Sequence, residues 1–129
     1  MKSLLTIFPP VFTVMFSSTS FGGWTFVGEN QTGTNHYVDI QRIRKHGGYI
    51  YWWSLLDYVT PHMGDLSVKR YIQSDCKLFR YKFLSVSFHK EPMGGGTGYT
   101  PPVPKEHKDW KYPPPNSSVE TILKSVCSR

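Results

Sequence analysis

Residues 49–58, YIYWWSLLDY, constrain this chain more than any other stretch. Read at period two, Tyr49, Tyr51, Trp53 and Leu55 fall on one face, and Ile50, Trp52, Leu56 and Tyr58 on the other. Both faces are apolar or aromatic, which suits a strand covered on both sides. A short buried helix carries such runs too. Tyr, Trp and Ile favour the pleated sheet, however, and the His46-Gly47-Gly48 turn just before the run sets up a hairpin. The stretch reads as the central strand of a small antiparallel sheet.

A chain of 129 residues has room for one domain. With 39% hydrophobic and 16% aromatic residues it is too rich in apolar side chains to be disordered. The formal charge of +6 favours acidic partners, although mild positive charge also serves solubility alone. The N-terminus points to a compartment. Lys2 is a positive n-region, 4–16 is an apolar h-region without charge, and Ser18 and Ser20 stand in an A-x-A-like arrangement. The apolar run is shorter than the roughly 20 residues that span a bilayer, and Pro9-Pro10 breaks it as a helix. Residues 1–20 are thus expected to be a signal peptide and 21–129 a single exported domain, with no transmembrane segment in the mature chain.

Export makes Cys76 and Cys127, the two cysteines of the chain, a structural disulfide rather than a redox pair, since there is no CxxC. Such a bridge closes a loop of about fifty residues, for which the chain-entropy model gives roughly 4 kcal/mol. Near the C-terminus, Ser117-Ser118-Val119-Glu120 matches a capping box, with Ser117 as N-cap and Glu120 reaching back to its amide. Val119, Ile122, Leu123, Val126 and Cys127 then recur at helical spacing. A helix this short needs docking, and Cys127 lies on its apolar stripe.

Between these landmarks, short strands are expected at 24–27 and 36–39, with a bend near 40–42. Residues 60–65 read as a loop and 66–76 as a fairly polar strand. Residues 77–89 read as a long strand, with Leu78, Leu84, Val86 and Phe88 on one face and Phe79, Tyr81 and Phe83 on the other. Its length suggests a bend, or a pair of shorter strands. The Gly- and Pro-rich segment 91–105 cannot hold a long ladder and reads as a mobile surface loop.

Catalytic chemistry has little support. His36 with Asp39 and His62 with Asp65 share an i, i+3 spacing, but a metal site needs three or four convergent ligands. There is no GxSxG elbow, and Gly94-Gly95-Gly96 precedes no GK[ST]. No catalytic, cofactor-binding or metal residue is assigned, and no cofactor. Lys69-Arg70-Tyr71 and Arg80-Tyr81-Lys82-Phe83 interleave cations with rings, but export removes nucleic acid from reach. Arg42, Arg44 and Lys45 are the candidate ligand-binding residues, suited to a sulfated glycan or lipid head group; the plainer reading of all three is a solvated strand end.

The order of several short motifs resembles a known family. They are Trp24, Tyr37-Val38-Asp39 with Ile43, Trp53-Ser54-Leu55-Leu56-Asp57-Tyr58, Ser67-Val68-Lys69, Asp75-Cys76, Trp110, and Pro115-Asn116-Ser117 through Cys127. In this the chain resembles the bacterial surface-adhesin protein E-like domains. The resemblance implies an α+β fold: a curved six-stranded antiparallel sheet with a docked C-terminal helix tethered by the disulfide. It also implies an exported bacterial protein whose namesake binds host extracellular-matrix and serum proteins. The chain lacks the lipid-accepting Cys of the namesake, and its 94–104 segment is longer than the family needs. The expected function is non-catalytic binding of an extracellular protein or polyanionic glycan at the cell surface. The alternative is a periplasmic accessory or structural protein with no host ligand. An exposed sheet patch would invite a homodimer.

Overall fold

The computed structural model describes residues 20–21 and 23–129, so residues 1–19 of the expected signal peptide lie outside the described residues. Strand β1 (Ser20–Phe21) pairs with β2 (Trp24–Glu29) across the expected cleavage point. Next come β3 (Asn35–Val38), a 3-10 turn at Ile40–Arg42, β4 (Arg44–His46), β5 (Tyr49–His62), β6 (Asp65–Asp75) and β7 (Arg80–His89). A single helical turn, α1 (Lys105–Lys108), and the helix α2 (Ser118–Cys127) complete the chain. The sheet is antiparallel throughout. Six strands follow the order β1-β2-β3-β5-β6-β7, as expected, and the short β4 pairs beside β3 on the same edge of β5.

β5 is the centre. β3 pairs with its residues 54–57 and β4 with its residues 49–51, the bend between them being the 3-10 turn at Ile40–Arg42. On its other side β6 pairs along most of its length, with Trp52 opposite Ile72 and Trp53 opposite Tyr71. The two faces of the sheet are covered differently. On the helix face, α2 packs Ile122, Leu123 and Val126 against Val38, Ile50, Trp52, Ile72 and Tyr81. Each such buried aliphatic side chain contributes about 1.5–3 kcal/mol. Trp52 is 1% exposed, and its indole N–H donates to Ser74 Oγ at 2.8 Å, so its one polar group is satisfied inside the core. On the opposite face a smaller cluster forms from Trp24, Tyr37 and Leu55, with Trp53 and Met93 against it.

Helix α2 begins as its sequence dictates: Ser117 Oγ accepts from the Glu120 amide at 3.2 Å. The Glu120 carboxylate reaches one residue further back than expected, to the amide of Asn116 at 3.0 Å. Asn116 adopts φ 63°, which turns its N–H toward the helix start. The Cys76–Cys127 disulfide joins the end of β6 to the end of α2.

Three expectations change. Residues 60–65 are not a loop, because β5 and β6 continue to a two-residue Met63-Gly64 turn with His62 opposite Asp65. Both turn residues have positive φ, 52° and 85°, the geometry that matches strand twist. The strand expected at 77–89 starts only at Arg80. Asp75 Oδ1 accepts from the Lys77 and Leu78 amides at 3.1 and 3.2 Å and bends the chain there. Within β7, Ile72 faces Phe83 while Tyr71 faces Ser85, so Leu84 is an extra residue. That bulge reverses parity and places Tyr81 and Phe83 on the same side as Val86 and Phe88.

The third change concerns 91–105, which is a strap rather than a free loop. Ser67 Oγ donates to Glu91 O at 2.6 Å and accepts from Gly94 N at 2.8 Å, and Asp57 Oδ1 accepts from Met93 N at 2.7 Å. Gly98 lies so close to the His89 ring that a Cβ there would collide with it. Phe88 and Tyr99 then exchange backbone hydrogen bonds, as do Tyr81 and Lys111. The strap crosses from one face to the other around the edge of β7 and shields that edge.

Candidate functional site

Pairing across the sheet decides which cations stand together. Arg44 is opposite Tyr51, Tyr51 opposite Gln73, and Gln73 opposite Lys82, so all four share the face away from α2. The neighbouring row on that face holds Trp53, Tyr71 and Ser85. Lys45, opposite Ile50, belongs to the helix face. The structure therefore brings Arg42 and Arg44 to one surface and separates Lys45 from them, although all three are exposed.

This surface is a layer of rings edged by cations. Trp53 and Tyr71 have centroids 4.8 Å apart, Tyr51 and Tyr71 6.3 Å, and Tyr49 and Trp110 5.5 Å. Arg42 lies 5.6 Å over Trp53. Arg80 and Lys82 lie 4.4 and 4.6 Å from the Trp110 ring. Trp110 arrives there because the Lys111–Tyr81 bridge lays the chain beside β7. Its position was not legible in the sequence.

Two aspartates at this surface are already engaged. Asp39 holds Arg42 at 2.7 Å, and Asp75 holds Arg80 at 3.0 Å. Burial alone would raise the pKa of Asp75. The Leu78 amide, the Arg80 guanidinium and the Lys77 amide outweigh it and hold the carboxyl below its usual value. At Arg80, burial opposes the charge, but hydrogen bonds to Asp75 and Tyr112 overcome it and raise the pKa. Arg44 donates to the carbonyls of Gln41 and Ile43, and neither it nor Lys82 makes an ion pair among the described residues. Rings with cations on their faces, two of them without a carboxylate, suit stacking and ion pairing with an extended anion.

The His-Asp pairs do not converge. Asp39 is taken by Arg42, Asp65 pairs with Lys90 at 3.1 Å, and the His62 ring lies 5.4 Å from that of Tyr58. Among the described residues no three His, Cys, Asp or Glu side chains cluster as metal ligands. No helix among them is long and apolar enough to cross a membrane. The basic-aromatic runs are split by strand alternation, with Tyr71, Arg80 and Lys82 on the ring-bearing face and Arg70, Tyr81 and Phe83 on the helix face.

Residues 24–128 match the family model described as surface-adhesin protein E. Among solved structures, a second crystal form of Haemophilus influenzae protein E superposes with a TM-score of 0.64 at 17% identity, covering 88% of this chain and 94% of that one. Protein E from non-typeable Haemophilus influenzae gives a TM-score of 0.62 at 17% identity, covering 84% and 78%. No curated protein matches the sequence.

Proposed function

Because the chain belongs to the surface-adhesin protein E family, we propose that it is an exported, non-catalytic binding domain whose ring-bearing face engages a polyanion at the cell surface. A sulfated glycan is the chemistry that fits this face best. The observation carrying the reading is the Arg44–Tyr51–Gln73–Lys82 row, flanked by Trp53, Tyr71 and Trp110, in which neither cation is paired with a carboxylate among the described residues. Sugar rings stack on such aromatic surfaces, and sulfates pair with the cations at their edge. Export by cleavage after residue 20 and display outside the cell belong to the same proposal.

Heparin binding tests it by comparing two double variants of equal charge change. Arg44→Glu with Lys82→Glu should weaken binding about tenfold or more. Lys45→Glu with Lys105→Glu, which alters residues away from the row, should change it far less. Equal losses would mean that net charge alone attracts heparin, and no binding by the native chain would end the glycan reading. Protease treatment of intact cells tests display: protection until the outer membrane is broken would move the protein to the periplasm.

A further inference from the structure

On the helix face, Arg70 of β6 sits in a row whose other members are Val38, Ser54 and Val86. Its Nε donates to Ser54 Oγ at 3.0 Å, and its guanidinium carbon lies 5.2 Å from the centroid of Phe83. Among the described residues no carboxylate comes within ion-pair distance of it, whereas Arg42 and Arg80 each hold an aspartate. Burial pulls the Arg70 guanidinium below its ordinary pKa, and Tyr81 and Tyr58 push it back up. Arginine nonetheless stays charged at neutral pH. A part-buried cation without a counter-ion carries a desolvation penalty, and this fold retains one.

The cation borders a cavity of about 310 Å³ between the sheet and the strap. Its walls are Tyr58, Val68, Phe83, Val86 and Phe88 on the sheet side, with the 101–104 stretch of the strap and His107 opposite. That volume lies at the lower end of the range for small-molecule sites, which combine apolar walls with a few fixed polar groups. A second cavity of about 350 Å³ shares Tyr58, Val68 and Phe88 and leads on toward Tyr99, His62 and Asp65, the last of these paired with Lys90. The neighbouring His36 is 7% exposed, and neither ring nitrogen has a hydrogen-bond partner among the described residues. Burial, followed by the charge of Arg70, lowers its pKa to about 4, so it is neutral at pH 7 and adds no second charge. The site thus offers one positive charge and a long apolar wall.

We infer that this groove binds a small monocarboxylate with an apolar tail, its carboxylate paired with Arg70 and its tail lying along Val86 and Phe88 beneath the strap. An amphipathic monoanion supplies the missing counter-charge and fills the apolar space with one molecule. The site is separate from the ring-bearing face, which lies across the sheet.

Titration calorimetry of the purified protein with octanoate and with octanol tests the inference. Octanoate should bind saturably and octanol about tenfold more weakly or worse, since the two differ in the charged group. Arg70→Met should abolish the preference for octanoate. Val86→Trp should block both probes by filling the groove while leaving the positive charge in place. Heparin binding by both variants should match the native chain, which separates this site from the glycan reading. Absence of saturable octanoate binding, equal affinity for the two probes, or octanoate binding that survives Val86→Trp would each overturn it.

Discussion

Trp52 and Trp53 are adjacent in sequence and opposite in role. Trp52 is sealed beneath α2 with its N–H on Ser74. Trp53 faces the other way, stacked on Tyr71 with Arg42 above it, and remains partly exposed. The same division runs through the sheet. Among the described residues, the helix face holds the larger core and one arginine without a carboxylate partner, and the other face holds a smaller core and an open layer of rings. A single strand with two apolar faces therefore carries the packed core on one side and the open layer of rings on the other.

The sharpest way to break this contrast is to truncate each tryptophan in turn. Trp52→Ala should cost about 3–5 kcal/mol in urea unfolding, as a large core ring replaced by a cavity. Trp53→Ala should cost clearly less while weakening heparin binding. Similar losses of stability in both variants would mean that the two faces are not specialised. Next in size is the bridge beside the helix face: Cys76→Ser with Cys127→Ser should lower stability by about 2–4 kcal/mol. Reduction of the native protein should shift the thermal midpoint in the same direction.

On the ring-bearing face, Gly98→Ala should cost about 1–3 kcal/mol, because its Cβ collides with His89 and pushes the strap outward. An unchanged melting temperature would show that the strap does not press on the sheet there. Ser117→Ala should cost about 1 kcal/mol by removing the hydroxyl that accepts from the Glu120 amide. A further effect is expected on pH. The pKa of His36 falls from 6.5 to about 4 through burial and then Arg70. The unfolded chain therefore takes up this proton at a higher pH than the folded one. Stability should be unaffected by His36 above pH 6.5 and should decline as pH falls from 6.5 toward 4. His36→Phe should flatten that interval in urea midpoints measured across pH, and an unaltered slope would remove His36 as its cause. Asp75, held below the usual carboxyl value of 3.8, adds its own loss only at lower pH.

The central strand, the Gly47-Gly48 turn and the capped helix with its cysteine were legible because each is a local pattern: alternation, paired glycines, and an N-cap before a helical stripe. The surface-adhesin resemblance added the strand count. The rest depended on contacts that no local pattern carries. Leu84 gives no sign of being an extra residue until Ile72 and Tyr71 take their partners across the ladder. The strap looked free because its glycines and prolines exclude a ladder, yet Ser67 and Asp57, far away in sequence, hold it down. Arg42 and Arg44 were visible as cations, but only cross-strand pairing adds Lys82 and sends Lys45 to the other side. Trp110 joins them through one backbone bridge.

The Cys76–Cys127 bridge also decides how the molecule bears load. Cys127 is the last residue of α2, at the C-terminal end of the fold. A pull on that end passes through the sulfurs into the end of β6 and bypasses everything between the two cysteines. β7, the strap, Trp110 and α2 all lie in that bypassed loop. Under tension along the chain, the force is carried by the strands from β1 to β6. The strap side of the groove and the Trp110 side of the ring layer are not pulled straight while the covalent link holds. Reducing that link would redirect the force through α2 and β7, so the mechanical strength of the domain depends on its redox surroundings.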